Sequence, residues 1–293
     1  MLNLSTEFLL PAASLLLLLI ATPAAAAEMK FATWNLEWLT ARPAGDPALP
    51  RDVRPKTGED VALLARYAEA LAADVVAIQE VDGPEIAARI FPPSRYVLHI
   101  TGDHVVQRVG LAIRRDLRFT PNHDLNALNE AAPGVHTLRS GADVTLDLPG
   151  GKLRLLAVHL KTGCRQDKLA SRVREQCSVL SGQLGVLTEW VSARRAAGEA
   201  FVLLGDFNRW MDNGDAFWAG LTRAAPLARA TEGTYSPCWG GGGFIDHIIA
   251  GGPAREWMMK DTMKVQVYRE TGAAWKERLS DHCPVSVRFR VPD

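Results

Sequence analysis

The chain has 293 residues, and its 33 Lys and Arg are matched by 33 Asp and Glu. Zero formal charge with 47% apolar residues excludes a disordered polyelectrolyte and leaves room for one large domain or two small ones. Any affinity for a polyanion must come from local patches, not from the surface as a whole.

Residues 1–27 differ from the rest. Phe8-Leu9-Leu10 and the run 15–20 form a short apolar core, and Ala24 to Ala27 offer small-residue cleavage sites. This order predicts a secretory signal peptide, followed by a single domain over 28–293 that is secreted or periplasmic. The n-region departs from the pattern, since it lacks Lys and Arg and carries Glu7. An uncleaved membrane anchor is the alternative, opposed by Pro11, Pro23 and the shortness of the run. Export makes Cys164, Cys177, Cys238 and Cys283 readable as disulfides, with three connectivities open. Pairing Cys164 with Cys177 closes a short local loop and leaves Cys238 with Cys283. A core thiol is the alternative for Cys177, which lies on the apolar side of a predicted helix.

Residues 29–34 read as a strand ended by Asn35. A proline-rich loop over 41–57 carries Arg42, Arg51, Arg54 and Lys56. Val61, Leu64, Ala65, Ala68 and Leu71 step at helical spacing. Residues 75–78 form a buried strand with Gln79-Glu80 at its end, and Asp82-Gly83-Pro84 starts a turn and short helix. Residues 96–100 and 105–113 read as paired strands, with Arg114 just beyond as a candidate substrate contact. Residues 122–133 are polar and irregular. Pro149-Gly150-Gly151 joins strands 142–148 and 152–158 as a hairpin, and His159 ends the second. A charged loop over 164–176 carries Arg165, a second candidate substrate contact, with Lys168, Arg172 and Arg174. Val173, Cys177, Leu180, Leu184, Leu187 and Val191 then mark one buried helix face.

The apolar run 200–204 is a buried strand that delivers Gly205-Asp206-Phe207-Asn208-Arg209. Alternate residues of an extended segment point the same way, so Asp206 and Asn208 can serve one site. Turn chemistry is the bland reading of an Asp-x-Asn pair. A Gly-rich loop over 234–243 precedes a strand over 244–249 that contains Asp246 and His247. A carboxylate inside a buried strand must be paired, and a histidine is a natural partner. Ser280-Asp281-His282 leads into an alternating final strand over 285–289.

Asn35, Glu80, His159, Asp206 with Asn208, Asp246, and Asp281-His282 thus each end or abut a strand. Hard carboxylate and amide oxygens suit Mg²⁺, Mn²⁺ or Ca²⁺, and the cysteines lack zinc-site spacing. Two histidines with acidic partners suit general acid–base work. Metal-assisted hydrolysis by activated water, at phosphorus, follows.

The ordered motifs Thr33-Trp34-Asn35, Ile78-Gln79-Glu80-Val81, Val158-His159-Leu160, Gly205-Asp206-Phe207-Asn208, Ile245-Asp246-His247-Ile248 and Ser280-Asp281-His282-Cys283-Pro284-Val285 span residues 33–285. With them the chain resembles the endonuclease/exonuclease/phosphatase superfamily, in its deoxyribonuclease I-like branch. The resemblance implies a four-layer α/β sandwich of two mixed sheets with helices outside. It implies that Asn35 and Glu80 hold Mg²⁺, with Asp281 as a further ligand. It makes His282, oriented by Asp246, the general base, and gives Asp206 and Asn208 the attacking water and the phosphate. His159 matches a second catalytic histidine, and the two histidines' acid and base roles stay open. Glu37 falls where some members place an acidic metal contact. The expected substrate is nucleic acid, DNA first, cut by a monomer with no stable membrane association. A sphingomyelinase-like phospholipid phosphodiesterase is the alternative and would need an exposed aromatic hairpin, hinted at only by Trp257-Met258-Met259. A catalytically dead binding module would have lost one of these residues, and none is missing.

Overall fold

The computed structural model of the protein describes residue 2 and residues 27–129, 138–170 and 174–292. Apart from Leu2 and Ala27, the expected signal segment lies outside the described residues. So do Arg172, Val173 and the end of the irregular 122–133 stretch.

In chain order the strands are β1 (Glu28–Leu39), β2 (Val75–Val81), β3 (Tyr96–Ile100), β4 (Arg108–Arg114), β5 (Arg118–Pro121), β6 (Ala142–Leu148), β7 (Gly151–His159), β8 (Ala200–Asp206), β9 (Leu227–Arg229), β10 (Asp246–Gly251), β11 (Met258–Val265) and β12 (Val285–Arg290). The helices are α1 (Gly58–Leu71), α2 (Pro84–Ala87), α3 (Glu175–Ala196), α4 (Ala216–Ala224), α5 (Ala254–Trp257) and α6 (Ala273–Arg278). They frame two six-stranded mixed sheets, ordered β11-β12-β1-β2-β4-β3 and β5-β6-β7-β8-β10-β9.

The layering follows from where the apolar faces go. Phe31, Ala77, Leu111 and Val287 of the first sheet meet Val144, Leu155, Val202 and Ile248 of the second in a central core. The outer face of the first sheet, with Ala32, Trp34 and Ile78, packs on Val61, Leu64 and Leu71 of α1. The outer face of the second, with Val158, Phe201 and Leu203, packs on α3 and α4. Each large side chain fully buried this way contributes about 1.5–3 kcal/mol before entropy is charged against it. Thr57 and Asp60 close α1 with a reciprocal capping box.

Topology then decides what shares an edge. β1 and β2 run parallel, as do β7 and β8. β10 is antiparallel to β8, and β12 to β1. The C-terminal ends of β1, β2, β7 and β8 and the N-terminal ends of β10 and β12 therefore lie at one end of the sandwich.

Several boundaries differ from the sequence reading. Asn35 does not end β1, which runs on to Leu39 through a bulge that holds Glu37 and Trp38 at positive φ. β10 starts at Asp246, so this carboxylate heads the strand instead of sitting inside it. Periodicity did not reveal β5, β9 or β11, which are short or polar edge segments. Trp257-Met258-Met259 is not an exposed hairpin; Met258 is buried in the central core and Trp257 packs against it. Among the described residues no helix is long and apolar enough to cross a membrane.

Candidate active site

Glycine at 205 lets β8 reach the site. Its φ is +152°, and a Cβ there would lie 2.0 Å from the Val158 carbonyl of β7, so only glycine fits. The strand thus packs tightly on β7 and sets Asp206 directly beside His159. Asn208 adopts φ 51°, a left-handed turn that Asn tolerates. Its backbone N–H donates to Asp206 Oδ1 at 2.8 Å, and its amide donates to the Leu160 carbonyl at 3.1 Å. The turn reading of Asp-x-Asn is therefore correct, and the turn is also what aims both side chains into the site.

Asn35 bridges the two sheets. Its amide donates to Glu80 Oε1 at 3.0 Å and to Asp206 Oδ2 at 3.1 Å, while its Oδ1 accepts the Glu37 N–H at 2.9 Å. Glu80 sits at φ 61°, a strained conformation that its hydrogen bonds offset. Its Oε2 accepts the Trp38 N–H at 3.1 Å and a short bond from Gln107. The bulge in β1 has this job, since it turns the Trp38 N–H toward Glu80.

His282 stands at the mouth of β12. Its Nδ1 lies 2.7 Å from Asp246 Oδ2, and its Nε2 is 3.8 Å from Asp206 Oδ2 and 3.7 Å from Asp281 Oδ1. Its backbone is held by Ser280 Oγ, which accepts the His282 N–H at 3.0 Å and donates to the Asn35 carbonyl at 2.7 Å. Tyr268 donates to the His282 carbonyl at 2.9 Å and accepts from Trp34 Nε1. Burial disfavours a charged His282, but Asp246 and Asp206 outweigh it and hold its pKa well above the usual imidazole value. Burial likewise pushes the Asp206 carboxyl up, with Asp246 adding to the rise against His282, the Asn208 N–H and the Asn35 amide.

His159 behaves oppositely. Its Nε2 lies 3.5 Å from Asp206 Oδ2 and 3.7 Å from Glu80 Oε1. Burial, reinforced by the charges of Arg139 and His282, pushes its pKa well below the ordinary value. It is neutral, so these contacts are not ion pairs. Glu80 thus reaches His159 from the other sheet, with Asp206 closer. His247 is not the partner of Asp246. It is buried, with Nδ1 2.7 Å from Thr231 Oγ1 and Nε2 3.0 Å from the Arg209 carbonyl. Burial lowers its pKa to about 3, and its role is to pin loops.

The oxygen donors suit a hard divalent cation. Burial raises the Glu37 carboxyl to about 7, Lys56 opposes this, and Asp281 and Glu80 add to it. Three carboxylates thus face a single ammonium, that of Lys56, which is almost fully buried and 3.7 Å from Glu37 Oε2. Glu37 Oε2 has no hydrogen bond, so the acidic cluster has donor capacity to spare. Asp206, Asp246 and His282 also bring ligand-type atoms within 4.8 Å of one another. Because Asp246 already binds His282 Nδ1, that trio is better suited to proton handling.

Of the two candidate substrate contacts, Arg165 lines the cavity that also exposes Asp246 and His282. Arg114 does not reach the site. It lies at the far end of β4, paired with Asp74 and Asp116, because antiparallel pairing with β2 sends it away from Glu80. Sequence reasoning missed Gln107 and Arg139. Arg139 precedes β6, donates to both the side chain and the backbone carbonyl of Gln107, and carries its charge beside His159. Neither sits in a motif, and only the fold brings them to this edge. Both expected disulfides are formed, Cys164–Cys177 and Cys238–Cys283.

The family model described as Endonuclease/Exonuclease/phosphatase family matches residues 32–282, a span that runs from before Asn35 to His282. The chain belongs to this family. Its members are metal-dependent phosphoesterase hydrolases. No curated protein matches the chain. Among solved structures, TDP2 from C. elegans is similar over 93% of this chain and 78% of its own, at 15% identity and a TM-score of 0.62. The 3′ phosphatase NExo from Neisseria, bound to product DNA hairpin, matches over 89% and 99%, at 18% identity and 0.58. The human Nocturnin catalytic domain, with bound sulfate, matches over 89% and 94%, at 14% identity and 0.55. At these identities the likeness concerns the fold, two mixed sheets face to face with helices around them.

Proposed function

We propose that this family member is a secreted or periplasmic, metal-dependent phosphodiesterase that hydrolyses nucleic acid, DNA first, by water attack at phosphorus. The observation that carries this reading is the Asp246–His282 pair at 2.7 Å, facing Asp206 and Asn208 across the same edge as the oxygen donors Asn35 and Glu80. Similar structures hold DNA products, as in D. rerio TDP2 complexed with single strand DNA product. That supports a nucleic-acid substrate without deciding it.

Asp246 fixes the proton of His282 on Nδ1 and leaves Nε2 to face the site. His282 Nε2 accepts the proton of the attacking water, and the Asp246 carboxylate stabilises the imidazolium that forms. Because its pKa is raised, His282 is a strong base that frees itself of its proton only as pH rises. Asp206 and Asn208 orient the water and the phosphate. His159, kept neutral by burial, offers a hydrogen bond to a phosphoryl or leaving oxygen. Arg139 adds fixed positive charge beside it. Asn35, Glu80 and Asp281 would hold Mg²⁺, or Mn²⁺ or Ca²⁺, which when bound supplies Lewis-acid polarisation of the phosphoryl group.

The test is hydrolysis of plasmid DNA, RNA and sphingomyelin by the purified chain, with Mg²⁺ and with EDTA. Cleavage of DNA with Mg²⁺ alone is expected. Turnover of sphingomyelin without nucleic acid would replace this reading by the phospholipid one.

A further inference from the structure

Beside His282 and Asp246 lies a cavity of about 230 Å³, lined also by Arg165, Trp210, Trp239 and Lys276. None of these four is needed for the proton chemistry above. Two features of their setting point to a ligand. Among the described residues, neither Arg165 nor Lys276 pairs with a carboxylate, whereas His282 and Asp246 of the same lining are paired with each other at 2.7 Å. Two indoles line this polar cavity, Trp210 and Trp239, the latter also packing against the outer core and Tyr268.

Both walls are fixed. The Arg209 guanidinium is buried, bonds Asp215 at 2.6 Å and donates to the carbonyls of Cys164 and Asp167 at 2.8 and 2.7 Å. The loop carrying Arg165 is thereby locked, with the Cys164–Cys177 bridge as a second tie. Its Arg165 carbonyl accepts the Trp210 N–H at 3.0 Å. Opposite, Cys238–Cys283 joins the Gly-rich loop to the residue after His282. Trp239 Nε1 donates to the Ser280 carbonyl at 2.9 Å, and its ring lies 5.4 Å from that of Tyr268 at 30°. Gly243 has no alternative, since a Cβ would come 2.5 Å from the Trp210 ring. A rigid aromatic-lined pocket costs little entropy to fill.

We propose that this cavity is a nucleotide subsite. Trp210 and Trp239 receive the base next to the scissile phosphodiester, and Arg165 and Lys276 hold that nucleotide's outer phosphate. The proposal rests on the nucleic-acid reading of the active site and names the part of the chain that enforces it. Aromatic rings also cage quaternary ammonium groups, and Asp246 and Asp281 line this cavity too, but Asp246 is taken by His282, and a choline head group would leave Arg165 and Lys276 without a partner. A base with an attached phosphate satisfies the rings and the cations together.

The probe is thymidine 3′,5′-bisphosphate, followed by tryptophan fluorescence in EDTA, beside inorganic phosphate. Wild type is expected to bind the nucleotide more tightly than phosphate. Trp210→Leu should weaken nucleotide binding by roughly 5–150-fold, the range for loss of one base–aromatic stack. Trp210→Phe should retain most of it, which separates stacking from misfolding. Lys276→Ala should weaken both ligands. On oligothymidylate, Trp210→Leu should raise KM more than it lowers kcat. If wild type hydrolyses methyl p-nitrophenyl phosphate but no oligonucleotide, the nucleic-acid reading fails and takes the subsite with it. If oligonucleotides are cut, yet Trp210→Leu binds the bisphosphate as wild type does, only the subsite is overturned. A matched fall in kcat with Trp210→Leu and Trp210→Phe alike, at unchanged KM, would make Trp210 merely structural and overturn it too.

Discussion

Replacing Asp246 by Asn removes one charge and leaves the shape. In the folded protein Asp246 Oδ2 meets His282 Nδ1 at 2.7 Å, and both side chains are about 10% exposed. Opposite charges about 4 Å apart at an effective dielectric of about 20 interact by roughly 4 kcal/mol. Asn can still accept from Nδ1 through its amide oxygen, so the imidazole pKa should fall, but by less than the whole of that interaction. The amide can also flip and donate to Nδ1, which moves the imidazole proton to Nε2 and blocks the base. Together these should lower kcat by about 10²–10⁴-fold, the usual range for positioned acid–base catalysis. The rising limb of the pH–rate profile should move toward acid, because the weaker base loses its proton earlier. The assay is kcat against pH on a phosphodiester, with circular dichroism to confirm folding. A folded Asp246→Asn protein with wild-type turnover and an unmoved limb would refute the pairing of Asp246 with His282 as the source of basicity.

Glu80→Gln keeps the hydrogen bonds from Asn35 and Trp38 but removes the charge. It should weaken divalent-cation binding measured by calorimetry and abolish most activity without unfolding, whereas full activity of the wild type in excess EDTA would exclude a metal role. Alkylation of the unreduced protein should label no cysteine by mass spectrometry. Removing Cys238–Cys283, which spans 45 residues, should cost about 4 kcal/mol on the chain-entropy estimate and should also loosen the loop beside His282. Burial keeps His247 neutral in the fold, with a pKa of about 3 against an ordinary value of 6.5. The unfolded chain therefore binds this proton first, so stability should fall as pH drops from 6.5 toward 3, by up to about 4 kcal/mol from this residue. His247→Gln should flatten that limb of urea-midpoint against pH; an unchanged slope would place the acid sensitivity elsewhere.

Local chemistry was enough to read much of this protein. Alternation and apolar runs gave β2, β4, β6, β7, β8 and β12, and the three-and-four spacing gave α1 and the buried face of α3. The polar residues that terminate those runs come together at one end of the sandwich, because a strand end is where a buried element first meets solvent. An even cysteine count, read with the expectation of export, anticipated both bridges. What local pattern missed depends on partners distant in the chain. Arg114 looked suitable in type but is carried to the wrong end of the sandwich by antiparallel pairing with β2. His247, adjacent to Asp246, points away because neighbours on a strand face opposite sides, and the partner is His282, 36 residues later, as the family resemblance implied. Gln107 and Arg139 reach Glu80 and His159 only through the order of strands in the two sheets. The opposite protonation of the two histidines could not be read from composition, since it comes from which carboxylates the fold buries beside each ring. Sequence determined the elements and the reactive residue types; tertiary packing decided which of them share one edge, and at what charge.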